Sequence, residues 1–343
     1  MKVLVTGAGG FLGVNVVERL LAHGHSDIRC FLRDKGKAAR IEALAAANPG
    51  CNLEICYGNL KSKADCARAV ADAGIVIHLA AGLKGAPAEL FVDSVVTARN
   101  LLEALGARAE PPIAQTRVLL VSSFGVYGVV PLGRGALVDE STPLEQFPER
   151  RDPYSHSKLR QEQLVREYQQ KLGFELVVLR PGVIYGPGGG AFSNRVGIQV
   201  GPVFVHPGGN NLLPLSYAVN CAEAIVVAAT HKDAAGQTYN VHDDEMPTAA
   251  QYLHAYKRNV KNLRSIRLPY FATRFLAGRL EGYHRRSQGQ LPAIITRYKA
   301  AAAWGGNTFS NAKLRGLGWR PLVSTQEGMM RTFEYLRAQS ANK

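Results

Sequence analysis

The sequence predicts an α/β protein: a doubly wound parallel sheet with helices on both faces, followed by a smaller C-terminal lobe. Two observations lead to this prediction. Short apolar runs alternate with segments of helical periodicity over roughly the first 181 residues, and a glycine-rich turn directly follows the first apolar run. The length of 343 residues exceeds the usual size of one hydrophobic core, which favours an appended lobe.

The predicted elements follow one another without an internal repeat or a low-complexity tract. Continuous apolar runs are typical of buried parallel strands, and they predict strands at 2–6, 27–33, 52–58, within 69–81, 117–123 and 175–181. Helical spacing of apolar residues, an alanine-rich stretch and a polar, glutamine-rich stretch predict helices at 11–23, 36–47, 88–106 and 155–172.

The pattern changes after Pro181. Residues 181–190 and 201–211 are rich in glycine and proline, which predicts loops. Further on, 214–231 predicts a strand-like piece and an apolar helix, and helices are also predicted at 248–260, 263–286 and 324–337. The first domain is therefore expected to comprise residues 1–181 with 214–244 returning to it, and the lobe to comprise 182–213 and 245–343.

Composition excludes several classes of protein. Apolar residues make up 46% and charged residues 20%, as in globular proteins, and no run approaches the roughly 20 apolar residues that span a bilayer. The five cysteines are odd in number and lack zinc-site spacing, and the histidines are scattered, so reduced thiols and no metal site are expected. With a strand beginning at residue 2, no signal peptide is expected, and the location is predicted to be cytoplasmic.

The net charge of +14 is confined to the last quarter of the chain. Residues 1–250 are neutral overall, whereas 251–343 carry 17 lysines and arginines against three acids, Glu281, Glu327 and Glu334. Such a region can attract nucleic acid, an anionic membrane or an anionic small substrate, or it can serve solubility alone. No nucleic-acid-binding motif accompanies the charge, so no nucleic-acid partner is expected.

The glycine-rich turn, "TGAGGFLG", indicates a dinucleotide site of the Rossmann type. Gly7 permits a tight turn, Gly10 lets backbone amides approach a pyrophosphate, and Gly13 allows the helix to pack closely on the sheet. Phe11 and Leu12 begin the helix, whose N-terminus carries a partial positive charge towards the phosphates. The first domain is therefore predicted to bind the cofactor and the lobe to bind the substrate.

The end of the second strand bears on the choice of cofactor. Dinucleotide folds often place an acid there to hold the ribose 2′-hydroxyl, but here the sequence reads "CFLRDKGK". Asp34 is expected to lie beyond the strand, while Arg33 and Lys37 could clamp a 2′-phosphate. This favours NADP(H). NAD(H) remains open, since Arg33 could instead stack on the adenine of either cofactor.

A serine, a tyrosine and a lysine are the candidate catalytic residues. Ser122 and Ser123 follow the fifth strand, at the edge where α/β sheets bind ligands. Tyr154 and Lys158 are four residues apart, so on a helix they share one face. An ammonium beside a phenol is expected to lower the pKa of the phenol, which can then act as general acid or base at an alcohol or carbonyl oxygen.

With these pieces in place, the chain resembles the extended short-chain dehydrogenase/reductase family over nearly its whole length. The resemblance rests on "TGAGGFLG", "HLAA" (78–81), "NLLEA" (100–104), "SSFGVYG" (122–128), "YSHSK" (154–158), "RPGVIYGPG" (180–188) and "GQTYNV" (236–241). It implies that Tyr154 is the acid/base, that Lys158 lowers its pKa, and that Ser123 donates to the substrate oxygen. Ser123 is preferred over Ser122 because it stands four residues before Tyr127, the usual offset of the family.

The resemblance also implies further cofactor contacts. Leu79, Ala80 and Ala81 would line the ribose and pyrophosphate path, and Pro181, Gly182 and Val183 would flank the nicotinamide. Asn59 and Leu60 occupy the place where the family often carries an aspartate against the adenine. Ser94 stands where many relatives have an asparagine that orders the site. A homodimer formed through a helix pair is usual in the family and is expected here.

The sequence indicates the substrate less clearly than the cofactor, and it is compatible with three functions. The C-terminal region resembles 3β-hydroxysteroid dehydrogenase-like members, which act on bulky apolar alcohols and ketones. Nucleotide-sugar epimerases and dehydratases commonly carry an arginine where this chain has Leu212, Leu213 and Pro214, although Arg195 could substitute. The third possibility is a non-catalytic dinucleotide-binding regulator. The candidate substrate contacts are Phe124, Tyr185 and Arg195.

Residues 263–286 form a basic, amphipathic segment. Its predicted apolar face comprises Leu268, Phe271, Phe275, Leu276, Leu280 and Tyr283, and the remainder is largely covered by Arg264, Arg267, Arg274, Arg279, Arg285 and Arg286. Such a helix can lie on an anionic membrane surface or cap an apolar pocket, it can pack its apolar face on the core, or its arginines can bind phosphates.

Overall fold

The computed structural model describes residues 1–286 and 295–341 and is built around one parallel sheet. Its seven strands lie in the order β12-β7-β5-β4-β1-β2-β3. Their bounds are β1 Lys2–Thr6, β2 Asp27–Leu32, β3 Asn52–Tyr57, β4 Ala73–His78, β5 Arg117–Val121, β7 Glu175–Pro181 and β12 Thr238–Val241. The predicted doubly wound fold is confirmed, because the strand order reverses at β1 and β4 and helices connect the strands.

The two faces of the sheet carry separate hydrophobic cores because successive side chains of a strand point to opposite sides. On β1, Val3 and Val5 belong to one core and Leu4 to the other. The first core is covered by α1 Phe11–Ala22, α2 Ala39–Ala47 and α7 Ala218–Thr230. The second is covered by α3 Lys63–Val70, α5 Thr97–Ala107 and α6 Pro153–Leu172.

A short helix precedes α5. It is α4, Pro87–Phe91, and a single π-helical turn at Val92–Val96 joins it to α5. Such turns often occur at functional sites, because the wider turn redirects side chains. The predicted helix at 88–106 is therefore present from Pro87 to Ala107, with an irregularity that apolar spacing did not indicate.

The remaining elements form small sheets and helices beside the carboxyl ends of the main strands. The strands are β6 Leu137–Val138, β8 Val183–Tyr185, β9 Ile198–Val200, β10 Val203–His206, β11 Leu215–Tyr217, β13 Ser265–Arg267 and β14 Thr308–Phe309. The helices are α8 Ala249–Asn259, α9 Tyr270–Arg286, α10 Arg297–Trp304, α11 Ala312–Gly316 and α12 Thr325–Ala341. Strand β12 joins the main sheet, whereas β11 pairs with β8. The division into a cofactor domain and a substrate lobe stays a prediction.

Three local predictions differ from the structure. The stretches predicted as loops contain β8 and β10, whose three or four residues are too short to stand out against neighbouring glycines. The helix predicted to start at residue 263 starts at Tyr270, because residues 265–267 pair with β10 as β13 and Pro269 follows them. Helix α3 was missed, since its eight residues contain small alanines and three charged side chains and only Cys66, Ala69 and Val70 are buried.

Candidate active site

A cleft of about 680 Å³ opens at the carboxyl ends of β1, β2, β4, β5 and β7. Its volume lies within the range of cofactor and ligand sites. It brings together most of the candidates from the sequence: Gly7, Gly10, Phe11, Leu12, Gly13, Arg33, Lys37, Asn59, Leu60, Leu79, Ala80, Ala81, Ser123, Tyr154, Lys158, Pro181 and Gly182. The predicted cofactor residue Val183 does not line the cleft, whereas its neighbour Ile184 does.

The glycine-rich turn has the backbone geometry that its residues require. Gly7 has φ +73°, a conformation that side chains rarely adopt. A Cβ on Gly13 would overlap the carbonyl oxygen of Gly7, so the helix can approach the turn only with glycine there. Gly10 precedes α1 and supplies no side-chain cap, and the first turn of α1 holds no acid. The N-terminal amides of α1 are thus left without a side-chain acceptor and fit a diphosphate.

The adenosine end of the cleft carries positive charge. Asp34, the acid nearest to the end of β2, accepts a hydrogen bond from the Gly36 amide at 2.9 Å and so caps a short turn. The Arg33 side chain is 66% exposed and lies 3.4 Å from Asp93, which Lys61 also contacts at 2.8 Å. The Lys61 and Arg33 charges hold the pKa of Asp93 below its usual range. These residues fit a dinucleotide and leave Arg33 at the mouth of the cleft.

Ser123 and Tyr154 line the same cleft, and the Ser123 side chain acts on the Tyr154 phenol by lowering its pKa. Ser123 stands directly after β5, and its Oγ accepts a hydrogen bond from the Gly125 amide at 3.1 Å. Tyr154 lies in the first turn of α6, whose N-cap is Asp152. Burial raises the pKa of Tyr154, the Ser123 hydrogen bond acts in the opposite direction, and the Asp152 charge adds to the rise.

Two acceptors bind the Lys158 ammonium in this structure. The ammonium donates to the Val121 carbonyl and to Gln161 Oε1, both at 2.6 Å. Burial lowers the pKa of Lys158 to about 7, with the Glu162 charge opposing that shift. Burial is also the largest influence on the Tyr154 phenol, and the lowering of the Tyr154 pKa by Lys158 stays a prediction.

Gln161 and His78 are site residues that the sequence analysis missed. The Gln161 amide nitrogen donates to the Ser94 carbonyl at 3.1 Å and lies 3.2 Å from His78 Nε2. On its other side, His78 Nδ1 lies 2.8 Å from the Thr6 hydroxyl. Burial, followed by the Lys158 charge, lowers the pKa of His78 to about 3, so this imidazole is neutral. A chain of hydrogen bonds thus runs from β1 to Lys158. The signal available in the sequence was the three-residue spacing of Lys158 and Gln161.

The Ser122 hydroxyl is bound by a residue of α6, which distinguishes Ser122 from Ser123 as a candidate catalytic residue. Its hydroxyl donates to Glu162 at 2.7 Å in the protein interior. Glu162 also pairs with Arg180 at 2.5 Å, and the Arg180 guanidinium lies over the Tyr127 ring, 4.7 Å from its centre. Burial would raise the pKa of Glu162, but hydrogen bonds and charge from Arg180 hold it below its usual range. This ion pair anchors α6, which carries Tyr154 and Lys158, to strand β7.

The three candidate substrate residues are not among the residues that line the cleft, and their role stays a prediction. Phe124 is buried and stacks on Phe309 with ring centres 5.3 Å apart. Tyr185 is buried and donates to Asp243 at 3.0 Å. The Arg195 guanidinium also lies over Phe309, in a small niche beside Leu212 and Leu213, and burial lowers its pKa to about 10. Their spacing in the sequence could not reveal these contacts with distant residues.

Comparisons with known proteins agree with the geometry. The chain is 29% identical to a 3-beta-hydroxysteroid dehydrogenase of Mycolicibacterium neoaurum, over 97% of this chain and 91% of that protein. It is 26% identical to a decarboxylating sterol-4-alpha-carboxylate 3-dehydrogenase of Candida albicans, over 98% and 97%. Among solved structures, UDP-glucuronic acid 4-epimerase of Bacillus cereus in complex with NAD shares the fold, with a TM-score of 0.72, 18% identity and coverage of 100% and 99%.

The family assignment rests on most of the chain. The model of the NAD dependent epimerase/dehydratase family matches residues 3–241, from the first strand of the main sheet to the last. The glycine turn, the cleft and the group formed by Ser123, Tyr154 and Lys158 all lie within that range. The chain therefore belongs to the NAD dependent epimerase/dehydratase family, and it is a nicotinamide-dependent enzyme of the extended short-chain dehydrogenase/reductase type.

Proposed function

We propose that this enzyme interconverts a secondary alcohol and a ketone on a bulky apolar substrate, with Ser123, Tyr154 and Lys158 as its catalytic residues. The observation that carries the proposal is that Ser123, Tyr154 and Lys158 line the wall of one cleft together with the glycine turn. A phenol and a hydroxyl beside one another can hold a single substrate oxygen between them.

The three side chains have different roles in the proposed reaction. A bound nicotinamide would supply or accept the hydride. Like any ordinary phenol, Tyr154 carries its proton at neutral pH, and burial raises its pKa further, so it is suited to donate a proton to a carbonyl oxygen. The Ser123 hydroxyl donates a hydrogen bond to the same oxygen and holds the carbonyl in place. Lys158 binds ribose hydroxyls through its ammonium, with Gln161 and the Val121 carbonyl setting its position.

The apolar substrate is inferred from relatives and from one segment of the chain. Both dehydrogenases named above act, by their names, on steroid or sterol compounds, and they match this chain over nearly its full length. The stretch Leu212, Leu213 and Pro214 itself supplies no cation to a sugar nucleotide, and the neighbouring Arg195 guanidinium lies over the Phe309 ring.

The test is cofactor turnover. With a 3β-hydroxysteroid and oxidised cofactor, we expect net formation of NADPH or NADH, and Tyr154→Phe should lower kcat at least about a hundredfold. Tyr168→Phe, on the outer part of the same helix, is the matched control and should leave the rate unchanged. Isomerisation of a UDP-sugar without net redox would instead establish an epimerase. Activity that survives Tyr154→Phe intact would overturn the catalytic assignment.

We propose NADP(H) as the preferred cofactor. Arg33 and Lys37 both line the cleft near the end of β2, while the Asp34 carboxylate caps its own turn. Arg33→Ser should raise KM for NADPH about tenfold and leave KM for NADH unchanged, because a charged hydrogen bond to a phosphate is worth about 1.5–3 kcal/mol. Arg40→Ser, at an exposed site on α2, is the control. Equal effects on both cofactors would contradict a 2′-phosphate contact.

We also infer a cytoplasmic homodimer, from the family's usual helix-pair interface and the reduced-thiol cysteine pattern. Sedimentation velocity measures the assembly directly. A species of twice the chain mass supports the dimer, and a monomer at micromolar concentration contradicts it.

A further inference from the structure

Helix α9 differs from an ordinary surface helix in which of its residues face the protein. Its small residues face the protein: Thr273 and Ala277 are buried, and Gly278 lies against the Arg297 guanidinium of α10. Its large apolar residues face outward: Phe271 is 76% exposed and Phe275 63%, and Leu276, Leu280 and Tyr283 are exposed as well. Of the alternatives that the sequence left open for this segment, packing of the apolar face on the core does not agree with these exposures. The face is presented to the surroundings of the protein.

The same face is strongly basic. Arg274, Arg279 and Arg286 are exposed beside the apolar residues, and the Arg279 guanidinium lies 5.9 Å from the centre of the Phe275 ring. The single acid of α9, Glu281, accepts a hydrogen bond from the Arg297 amide at 2.7 Å. Its carboxylate is thus directed towards α10, and within the described part of α9 the charged side chains of the outward face are arginines.

The neighbouring strand extends this surface. On β13, Ile266 is exposed, and Arg264 and Arg267 flank it as exposed cations. Apolar side chains therefore alternate with arginines over residues 264–286, a segment that belongs to the part of the chain carrying the whole net charge. We call the exposed residues of β13 and α9 the basic apolar face.

We propose that the basic apolar face docks on the surface of an anionic phospholipid bilayer. Aromatic and aliphatic side chains would enter the boundary between headgroups and acyl chains, while the arginines would contact lipid phosphates. The helix lies on the bilayer and does not cross it: α9 has 17 residues, and among the described residues no helix is long and apolar enough to span a membrane.

A second copy of the chain fits this face poorly. Pairing two such faces about a twofold axis would bring Arg274 and Arg279 of both copies together with no outward-directed carboxylate on α9 to compensate. Nucleic acid would satisfy the arginines but would leave the aliphatic side chains in water. An anionic bilayer satisfies both kinds of group at once.

Vesicle co-sedimentation of the full chain tests the proposal. We expect binding to phosphatidylcholine vesicles that contain about 30% phosphatidylglycerol, much weaker binding to phosphatidylcholine alone, and loss of binding as salt rises to about 0.5 M. The double variant Phe271→Ser, Phe275→Ser should lower the bound fraction roughly tenfold, because it removes the apolar contacts. The double variant Arg274→Gln, Arg279→Gln should lower it independently by removing charge.

The controls keep the result interpretable. Leu322 is an exposed apolar residue outside the basic apolar face, and Leu322→Ser should bind vesicles like the wild type. Unchanged circular dichroism of each variant verifies the fold. Vesicle binding that persists in the phenylalanine variant overturns the proposal. A wild-type chain that does not bind anionic vesicles also overturns the proposal. That outcome includes the case in which the wild type sediments as a dimer and the phenylalanine variant sediments as a monomer.

Discussion

The buried ammonium of Lys158 predicts a pH dependence of stability that one substitution can isolate. Burial lowers its pKa from the ordinary 10.5 to about 7. Between these values the unfolded chain holds one proton more than the folded chain, so the free energy of unfolding rises with pH by about 1.4 kcal/mol per unit. Below about pH 7 both states are protonated and the full penalty of the buried charge applies. The penalty fades as the pH approaches 10.5.

Lys158→Met removes this titration and keeps a long side chain. The stability gained by the substitution should fall by roughly 3 kcal/mol between pH 6 and pH 9, because the penalty of the buried charge shrinks over that range. Urea unfolding of nucleotide-free protein, followed by tryptophan fluorescence, measures it at each pH. Titration of other groups cancels when the variant is compared with the wild type at the same pH.

An exposed lysine supplies the control. The Lys63 side chain is 78% exposed, so Lys63→Met should change stability equally at both pH values. If the Lys158→Met difference is constant from pH 6 to pH 9 within about 0.5 kcal/mol, the folded state holds Lys158 charged throughout, and the argument from burial is refuted.

Two further predictions concern the cleft. Gly13→Ala should abolish binding of NADPH in a fluorescence titration, because the added Cβ would overlap the Gly7 carbonyl oxygen, whereas Gly50→Ala, with open space around it, should bind normally; an affinity within threefold of the wild type for Gly13→Ala would count against the site. Gln161→Leu removes one of two acceptors of the Lys158 ammonium and should weaken NADPH binding about tenfold and change the pH dependence of that binding near pH 7; an unaltered Kd at every pH would show that Gln161 has no positioning role.

Residues close together in the chain explain most of what could be predicted. The spacing of Gly7, Gly10 and Gly13 after an apolar run predicts the turn and the start of α1, and the spacing of Tyr154 and Lys158 predicts their shared wall of the cleft. Both inferences depend on backbone geometry within one or two turns of chain, which local sequence controls. The order of apolar and helical segments predicts the parallel sheet in the same way.

Contacts between distant segments account for what the sequence could not show. Adjacency in the chain does not separate Ser122 from Ser123; the offset to Tyr127 favours Ser123, and the tertiary structure adds that Glu162 of α6 binds the Ser122 hydroxyl. The direction of the Tyr154 pKa likewise depends on how deeply the fold buries the phenol and on which acceptors hold Lys158. The four-residue spacing of Tyr154 and Lys158 indicates a neighbouring charge but not the desolvation of the phenol. Desolvation is the larger influence on the Tyr154 pKa in this structure.

Helix α9 shows the same difference between what local sequence and what tertiary contacts determine. By itself, the sequence determined that α9 is apolar on one side and basic around it, because helical periodicity assigns each residue to a face. Only the tertiary structure decided which face meets the protein, because Thr273 and Ala277 are buried and Gly278 lies against Arg297 of α10, whereas the large residues stay exposed. Helical periodicity gives the direction of each side chain about the helix axis. Burial depends on the shape of the surface that the rest of the chain offers to the helix.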